Sequence, residues 1–596
     1  MIGSRLYKVL ILLLGVPAGA IAASEWPAAS DFDAYVAQTM KDFKVPGAAV
    51  AIVRNGKVVV AQGYGFRDVE KQLPVTTKTL FPIASISKSF TVTTLGMMVD
   101  QGIVDWDKPV RDYLPGFRMY DPVATDEMTP RDLVTHRSGL PRHDLVWYGS
   151  PISQKEIVER LRYLEPNKPL RQTFQYNNLM FITAGYLESV LNHSSWEEAV
   201  QKLVLTPIGM TGTLFSSAEA QKNPDCAQPY RKNRKTEEVK QIAFAEWGDI
   251  GAAGGINSNL DDMVRYLLFH LAKGKLEEKQ LLSENSSSQM QTPQMVIQGE
   301  RDYTELGDLS YGMGFFVSTY RGHKVVLHGG NLDGFSLELA FLPEDQIGVI
   351  VLANLDQSRF RDALPYDVFD RALGLEPLPW NERFLEREHK EAEAENKAEE
   401  KGFTGRREGT QPSHDLQEFV GEYSNPGYGL VTIALADSSG DLRLMLNHLT
   451  RTVNHFHYDT FAVPPDPIDA LEKIKISFIT DLNGDVSSVS MPLEENVKSI
   501  VFDRVAEKRM FDRAFLEQFV GDYDFMGRSL SIQMNGNNLT AAFPGSPIRP
   551  LEPKHGTLFN VPSLPGTTIE FKKDESGKFS QMVFAYTDVS YLIKRK

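Results

Sequence analysis

The chain repeats itself near its C-terminal end, and this constrains its fold more than any other feature. Leu416-Gln417-Glu418-Phe419-Val420-Gly421-Glu422-Tyr423 returns as Leu516-Glu517-Gln518-Phe519-Val520-Gly521-Asp522-Tyr523, and Asp481-Leu482-Asn483-Gly484 is answered by Asp574-Glu575-Ser576-Gly577. A duplication of this kind implies two units of one architecture. Both copies are short, rich in alternating strand patterns and turn residues, and free of any long helical stretch. Two small antiparallel β-barrels, at residues 414–508 and 509–596, are expected.

At 596 residues the chain exceeds what one core supports, and length alone suggests about three or four units at roughly 150 residues each. Glu, Lys and Arg dominate residues 381–413 with almost nothing to bury, which reads as a charged linker, in part helical. Residues 24–380 mix strand and helix signals without a repeat. Residues 48–53 and 58–62 flank Arg54-Asn55-Gly56, a hairpin in which Asn-Gly supplies the positive φ of a tight turn. Residues 324–328, 335–341 and 347–354 read as strands, and 85–101, 178–191 and 260–271 as helices. Thr129-Pro130-Arg131-Asp132 marks a helix start with an N-cap, a first-turn proline and an acid, and Ser258 with Asp261 repeats the pattern more weakly. The expected fold is multidomain: an α+β domain with an antiparallel sheet flanked by helices, followed by two β-barrels.

Arg5 and Lys8 precede an apolar run at 9–14 that continues weakly to Ala20, and Ala20 and Ala22 are small. This is the pattern of a signal peptide, residues 1–23, cleaved after Ala22 or Ala23. Gly15 and Pro17 interrupt the run, leaving it short of the roughly 20 apolar residues a membrane span needs. Cys226 is the only cysteine, so an intramolecular disulfide and a cysteine-based metal cluster are excluded. A secreted or periplasmic bacterial location fits an exported protein without disulfides. A net charge of −15 argues against nucleic-acid binding, which depends on basic residues meeting phosphates. A small molecule or short peptide is the expected partner, and the oligomeric state is open.

Ser85-Ile86-Ser87-Lys88 opens an amphipathic run through Thr91, Leu95 and Met98. If Ser85 begins a helix, Lys88 lies three residues on and shares its face. The helix N-terminus favours developing negative charge. A serine hydroxyl becomes a nucleophile when a base takes its proton, and a lysine can do so once burial or a neighbouring charge keeps it neutral. Alone the pattern is weak, since a serine N-cap beside a solvated lysine looks the same. Its company is more specific: Tyr176-Asn177-Asn178 follows Phe174, and His328-Gly329-Gly330-Asn331 closes an apolar strand. A tyrosine beside Lys88 can relay protons, and glycines let a substrate backbone approach the strand edge.

Here the chain resembles the serine β-lactamase family, which also holds penicillin-binding proteins, D-aminopeptidases and related esterases. Its motifs S-x-x-K, Y-x-N and K-T-G or H-x-G are all present in order, and the resemblance extends to residues 133–141 and 254–258 and covers roughly residues 30–380. It implies that Ser85 is the acylated nucleophile, Lys88 and Tyr176 the acid/base pair, Asn178 a contact to substrate and lysine, and His328, with Gly329 and Gly330, a substrate-binding strand. The oxyanion hole would be the backbone amides of Ser85 and Asn331. No metal or organic cofactor is implied. Many β-lactamases and carboxypeptidases have lysine where this chain has His328, and a histidine is mostly neutral near pH 7. That favours esters, amides or short peptides, including D-amino-acid peptides, over penicillin-type substrates. The alternatives are a β-lactamase or D-Ala-D-Ala carboxypeptidase, and a binding or sensor protein that acylates without turnover. The tail barrels also look like those of D-aminopeptidases, and would either cap the cleft or serve as an appendage. Because every motif precedes residue 380, a cut near Gly402 is expected to leave the chemistry intact.

His455 and His457 share a strand face but lack a third ligand, and read as ordinary strand residues. His136, His143 and Asp144 could mimic part of a triad, yet they fall in or beside the family's loop motif, which disfavours a Ser-His-Asp mechanism.

Overall fold

A computed structural model describes residues 29–596 except 234, 246, 300, 401–404, 437–440, 465–473, 544 and 588. The signal-peptide reading of residues 1–23 lies outside the described residues. An antiparallel sheet of nine strands organises the first half of the chain. In chain order they are β1 (Gly47–Arg54), β2 (Lys57–Asp68), β3 (Leu73–Pro74), β4 (Met295–Val296), β5 (Ser310–Tyr311), β6 (Phe316–Tyr320), β7 (His323–Leu332), β8 (Phe335–Leu342) and β9 (Ile347–Ala353). They lie side by side as β4-β5-β6-β7-β8-β9-β1-β2-β3, so β9 pairs with β1, Ile350 opposite Ala51. Asn55 and Gly56 both take positive φ, 50° and 72°, and close the expected hairpin with Arg54 opposite Lys57.

Alternate residues of β1 serve two cores, because successive side chains of a strand point to opposite faces. Ala48, Val50 and Ile52 join a core with α1 (Ala29–Phe43), α5 (Phe360–Leu373) and α6 (Trp380–Glu400). Ala49, Ala51 and Val53 join the other, with α2 (Ser87–Asp100), α3 (Asn178–Asn192) and α4 (Leu260–Leu271). The Thr129–Asp132 capping box forms with Pro130 in the first turn. At α4 the cap falls one residue later than expected: Asn259 accepts from the Asp262 amide. Ser258 is committed elsewhere, paired with Phe81 and bonded through its hydroxyl to Thr213 at 2.8 Å.

The charged stretch after residue 380 is anchored at its start. Trp380 and Phe384 are buried in the second core, and Arg387 and Glu391 pair with Asp302 and Arg359. Two aromatic residues four apart on α6, with Leu385 packed beside them and these ion pairs, dock a helix that is otherwise charged.

Two closed eight-stranded antiparallel barrels follow. The first runs from Gly421–Asn425 to Ile500–Val505 and closes with Glu422 opposite Val505. The second runs from Gly521–Phe525 to Val589–Arg595 and closes with Tyr523 opposite Arg595. The repeated sequence does one physical job twice. The Tyr423 hydroxyl donates to the Phe419 carbonyl at 2.8 Å, and that of Tyr523 to Phe519 at 2.9 Å. Phe419 and Phe519 are fully buried in their barrels. Arg504 and Arg595, on the closing strands, donate to the carbonyls of Val420 and Val520. Lys554 of the second barrel ties it to the first through Asp481 and Asp485, each at 2.6 Å. Among the described residues no helix is long and apolar enough to cross a membrane.

Candidate active site

Ser85 sits in a single 3₁₀ turn, Ala84–Ile86, directly ahead of α2, instead of on an α-helix starting at residue 85. The cause is Ala84, whose φ of 50° is a left-handed conformation that costs a residue bearing a Cβ. The Ile83 amide, bonded to the Ile256 carbonyl at 2.8 Å, anchors the turn. Strain of this kind persists where surrounding structure over-determines it, and it clusters at working sites.

Lys88 is fully buried. Its Nζ lies 3.0 Å from Ser85 Oγ and donates to the Ala253 carbonyl at 2.7 Å. Burial, then the nearby Arg142 charge, drives the Lys88 ammonium well below the ordinary lysine range, against a weaker opposing pull from Asp144. The amine is therefore held toward the neutral form that can accept a proton. Tyr176 completes the group. Its ring centroid is 4.8 Å from Lys88 Nζ and 5.3 Å from the Arg142 guanidinium. Burial raises the pKa of its hydroxyl, against the lowering effects of the neighbouring Ser85 hydroxyl and of Arg142. It stays a phenol at neutral pH and can pass a proton on.

Asn178 opens α3, behind the Asn177 cap. Its side-chain nitrogen donates to Asp144 at 3.2 Å, whereas Lys88 takes Ser85 and Ala253 as partners, so the expected Asn178–Lys88 contact is replaced by Asn178–Asp144. The Asn178 Oδ1 is buried and has no hydrogen-bond partner among the described residues; the residue is part of the cleft lining. His136 is buried with Nδ1 accepting from the Asn177 amide at 3.0 Å, and its ring centroid lies 4.2 Å from that of Tyr176. It supports the tyrosine and does not approach Ser85 as a triad base.

His328, Gly329, Gly330 and Asn331 lie on β7. Gly330 faces the serine turn: a Cβ there would stand 2.6 Å from the Ile83 carbonyl oxygen and 3.0 Å from Ala84 Cβ. Asn331 and Ser85 both line the cleft. His328 differs from the expected binding residue, being only 1% exposed. Its Nε2 is 3.2 Å from the Tyr311 hydroxyl and its Nδ1 is 2.7 Å from the Gly329 carbonyl oxygen. Burial is the main cause that lowers its pKa to about 3, so the imidazole is neutral.

The cleft in front of Ser85 has a volume of about 640 Å³. Its walls include Tyr148, Asp333 and α6, together with Leu449 and Leu493 of the first barrel. That barrel also grips the loop carrying Arg142 and Asp144. The Tyr428 hydroxyl lies 2.7 Å from His143 Nδ1, Glu494 accepts from the His143 amide, and Asn447 donates to the carbonyls of Leu145 and Tyr148 at 2.8 and 3.1 Å. Arg142 and the barrel residues went unnoticed in the sequence, where no spacing signals them. The Ala253 carbonyl was legible in part, since the small residues around it announce a close approach. Among the described residues no group of three His, Cys, Asp or Glu side chains could hold a metal ion, and His455 bonds the Tyr458 carbonyl of its own hairpin.

Comparison with known proteins supplies the class. Residues 32–373, more than half of the chain, match the Beta-lactamase family, and the chain belongs to it. Residues 405–504 match a domain of unknown function, DUF3471. Unguisins hydrolase ungD' of Aspergillus campestris is 29% identical over 426 residues, covering 68% of this chain and 78% of that protein. Unguisins hydrolase ungD of Aspergillus violaceofuscus is 27% identical over 458 residues, 72% of this chain and 79% of that protein. Protein flp of Staphylococcus aureus is 25% identical over 328 residues, 54% and 62% of the two chains. The octameric penicillin-binding protein homologue from Pyrococcus abyssi shares the fold, with a TM-score of 0.51 at 22% identity over 79% of this chain and 99% of that one.

Proposed function

We propose that the protein is a serine hydrolase that cleaves an ester, an amide or a short peptide through an acyl-enzyme on Ser85. The observation that carries this reading is the buried Lys88 amine, 3.0 Å from Ser85 Oγ and kept from ionising by its surroundings. In the acylation step Ser85 Oγ bonds to the substrate carbonyl carbon as its proton passes to Lys88 Nζ. The resulting oxyanion is received by the Ser85 and Asn331 amides. Collapse breaks the bond to the leaving group, which takes the proton back from Lys88 by way of the Tyr176 hydroxyl. Water then attacks the acyl carbon as its proton passes to Lys88 Nζ; collapse breaks the bond to Ser85 Oγ, which takes that proton back, and the acid product leaves.

The charge around the site supports this substrate class. β7 offers a neutral, buried His328 where a permanent cation would suit a penicillin carboxylate, and Arg142 in the cleft is already paired with Asp144. The relatives named as unguisins hydrolases support hydrolysis as the reaction. A panel of p-nitrophenyl esters, D- and L-amino-acid p-nitroanilides and nitrocefin on purified protein tests the reading. Turnover of esters or anilides that Ser85→Ala abolishes, together with loss of fluorophosphonate labelling, is the expected result. Labelling at another serine sinks the assignment, nitrocefin as the best substrate makes the protein a β-lactamase, and a burst without steady turnover makes it an acylated sensor.

A further inference from the structure

The peptide that joins Gly330 to Asn331 has a carbonyl on one side and the Asn331 N–H on the other. β6 pairs with β7 only as far as Leu327, so beyond that residue β7 is open on the side away from β8. On the β8 side, Arg361 of α5 holds the Gly330 carbonyl. Its Nη1 donates to Gly330 O at 2.9 Å and to Leu337 O, on the paired residue of β8, at 3.1 Å.

Arg361 reaches this position from the face of the sheet opposite Ser85, and Gly329 makes the room. A Cβ on Gly329 would lie 2.5 Å from Arg361 Nη1 and 2.7 Å from Glu338 Oε2. The two glycines thus face opposite ways: Gly330 admits the serine turn and Gly329 admits the arginine. The guanidinium is largely shielded, with its side chain 18% exposed, and its Nε is 3.5 Å from Asp362 Oδ1. Burial is the main influence on the pKa of both Tyr176 and His328, yet the Arg361 charge is felt at each.

We propose that Arg361 is a positioning residue for acyl transfer, which fixes the plane of the Gly330–Asn331 peptide and, as a cation on its carbonyl, strengthens the Asn331 N–H as a donor to the oxyanion. A guanidinium keeps its charge at every relevant pH. A hydrogen bond to a peptide carbonyl polarises the same peptide's N–H, more strongly when the donor is ionic and the site is dry. This inference rests on the acyl-enzyme reading of Ser85.

The test compares an oxoester with its matched thionoester in the full-length wild type, Arg361→Met and Arg361→Lys. A thiolate-like anion is a weak hydrogen-bond acceptor, so the thionoester draws less on the amide donors. Loss of one oxyanion donor costs about 100-fold to 1,000-fold, and weakening one through its partner should cost less. Arg361→Met is expected to lower kcat on the oxoester by roughly tenfold to a hundredfold with KM little changed. The thionoester should lose less, so the oxoester-to-thionoester ratio falls, and Arg361→Lys should recover part of it. If Arg361→Met does not fold, Arg361→Lys carries the same comparison with a smaller fall in the ratio. Equal losses on both esters, or a fall that tracks only melting temperature, make Arg361 a structural residue and overturn the proposal. Absence of Ser85 labelling in the wild type refutes the acyl-enzyme reading itself, and this inference with it.

Discussion

Replacing Asn447 by alanine tests whether the first barrel helps to build the site from outside the catalytic domain. Asn447 Nδ2 donates to two carbonyls of the 142–149 loop, those of Leu145 and Tyr148, at 2.8 and 3.1 Å. A net hydrogen bond contributes about 1 kcal/mol, so the substitution weakens docking of this loop by about 2 kcal/mol, or about thirtyfold in the docking equilibrium. The same loop carries Asp144, which holds Asn178, and Arg142, which packs on Tyr176. Loosening it releases the electrostatic pressure that Arg142 puts on Lys88. The expected result is a fall in kcat/KM on the best ester of about fivefold to thirtyfold, the upper figure being the full loss of docking. Fluorophosphonate labelling of Ser85 should slow in parallel, while the melting temperature of the catalytic core changes little. A variant with wild-type kcat/KM and labelling rate would show that the catalytic domain holds the loop unaided, and refute the reasoning. The same contacts revise the expectation for a cut near Gly402: the motif residues would remain, but part of the frame that orients them would not.

The other predictions concern the proton path. Lys88→Met should lower the rate by at least about a hundredfold, the usual contribution of a general base, which steady-state hydrolysis will measure. The same substitution should raise stability at neutral pH. Burial lowers the folded pKa of Lys88, so below the ordinary lysine pKa the unfolded chain binds a proton that the folded chain refuses, and wild-type stability climbs with pH through that window. The advantage of Lys88→Met in thermal melts should therefore shrink as pH rises toward about 10. A melting-temperature difference that stays constant across that range would mean that Lys88 is charged in the fold. Tyr176→Phe removes only the hydroxyl beside Ser85, and should lower kcat far more than it changes KM; a change in KM alone would make Tyr176 a pocket wall.

What could be read in the sequence was local or repeated. The hairpin at Asn55-Gly56, the helix at 260–271 and the capping box at Thr129 depend on a few adjacent residues, whose backbone preferences the tertiary structure here keeps. The twin barrels were legible because the duplicated segment makes the same tyrosine-to-carbonyl bond and buries the same phenylalanine in each copy. The pairing of Ser85 with Lys88 was legible because three residues of chain entering a helix put both on one side.

Tertiary structure decided the rest, since charge state and alignment depend on groups far apart in the chain. Whether Lys88 can act as a base is set by burial, by the Ala253 carbonyl and by Arg142. Asn178 turned to Asp144, and His328 became a buried neutral ring, because the packing of three separate segments left those partners nearest. α6 looked like free linker until Trp380 and Phe384 found the second core. The placement of Arg361 behind Gly330, and of Asn447 against the catalytic loop, joins residues 31 and about 300 positions apart. Pairings of that range leave no periodicity in the sequence, because they arise only when a whole sheet and a whole barrel have closed around them.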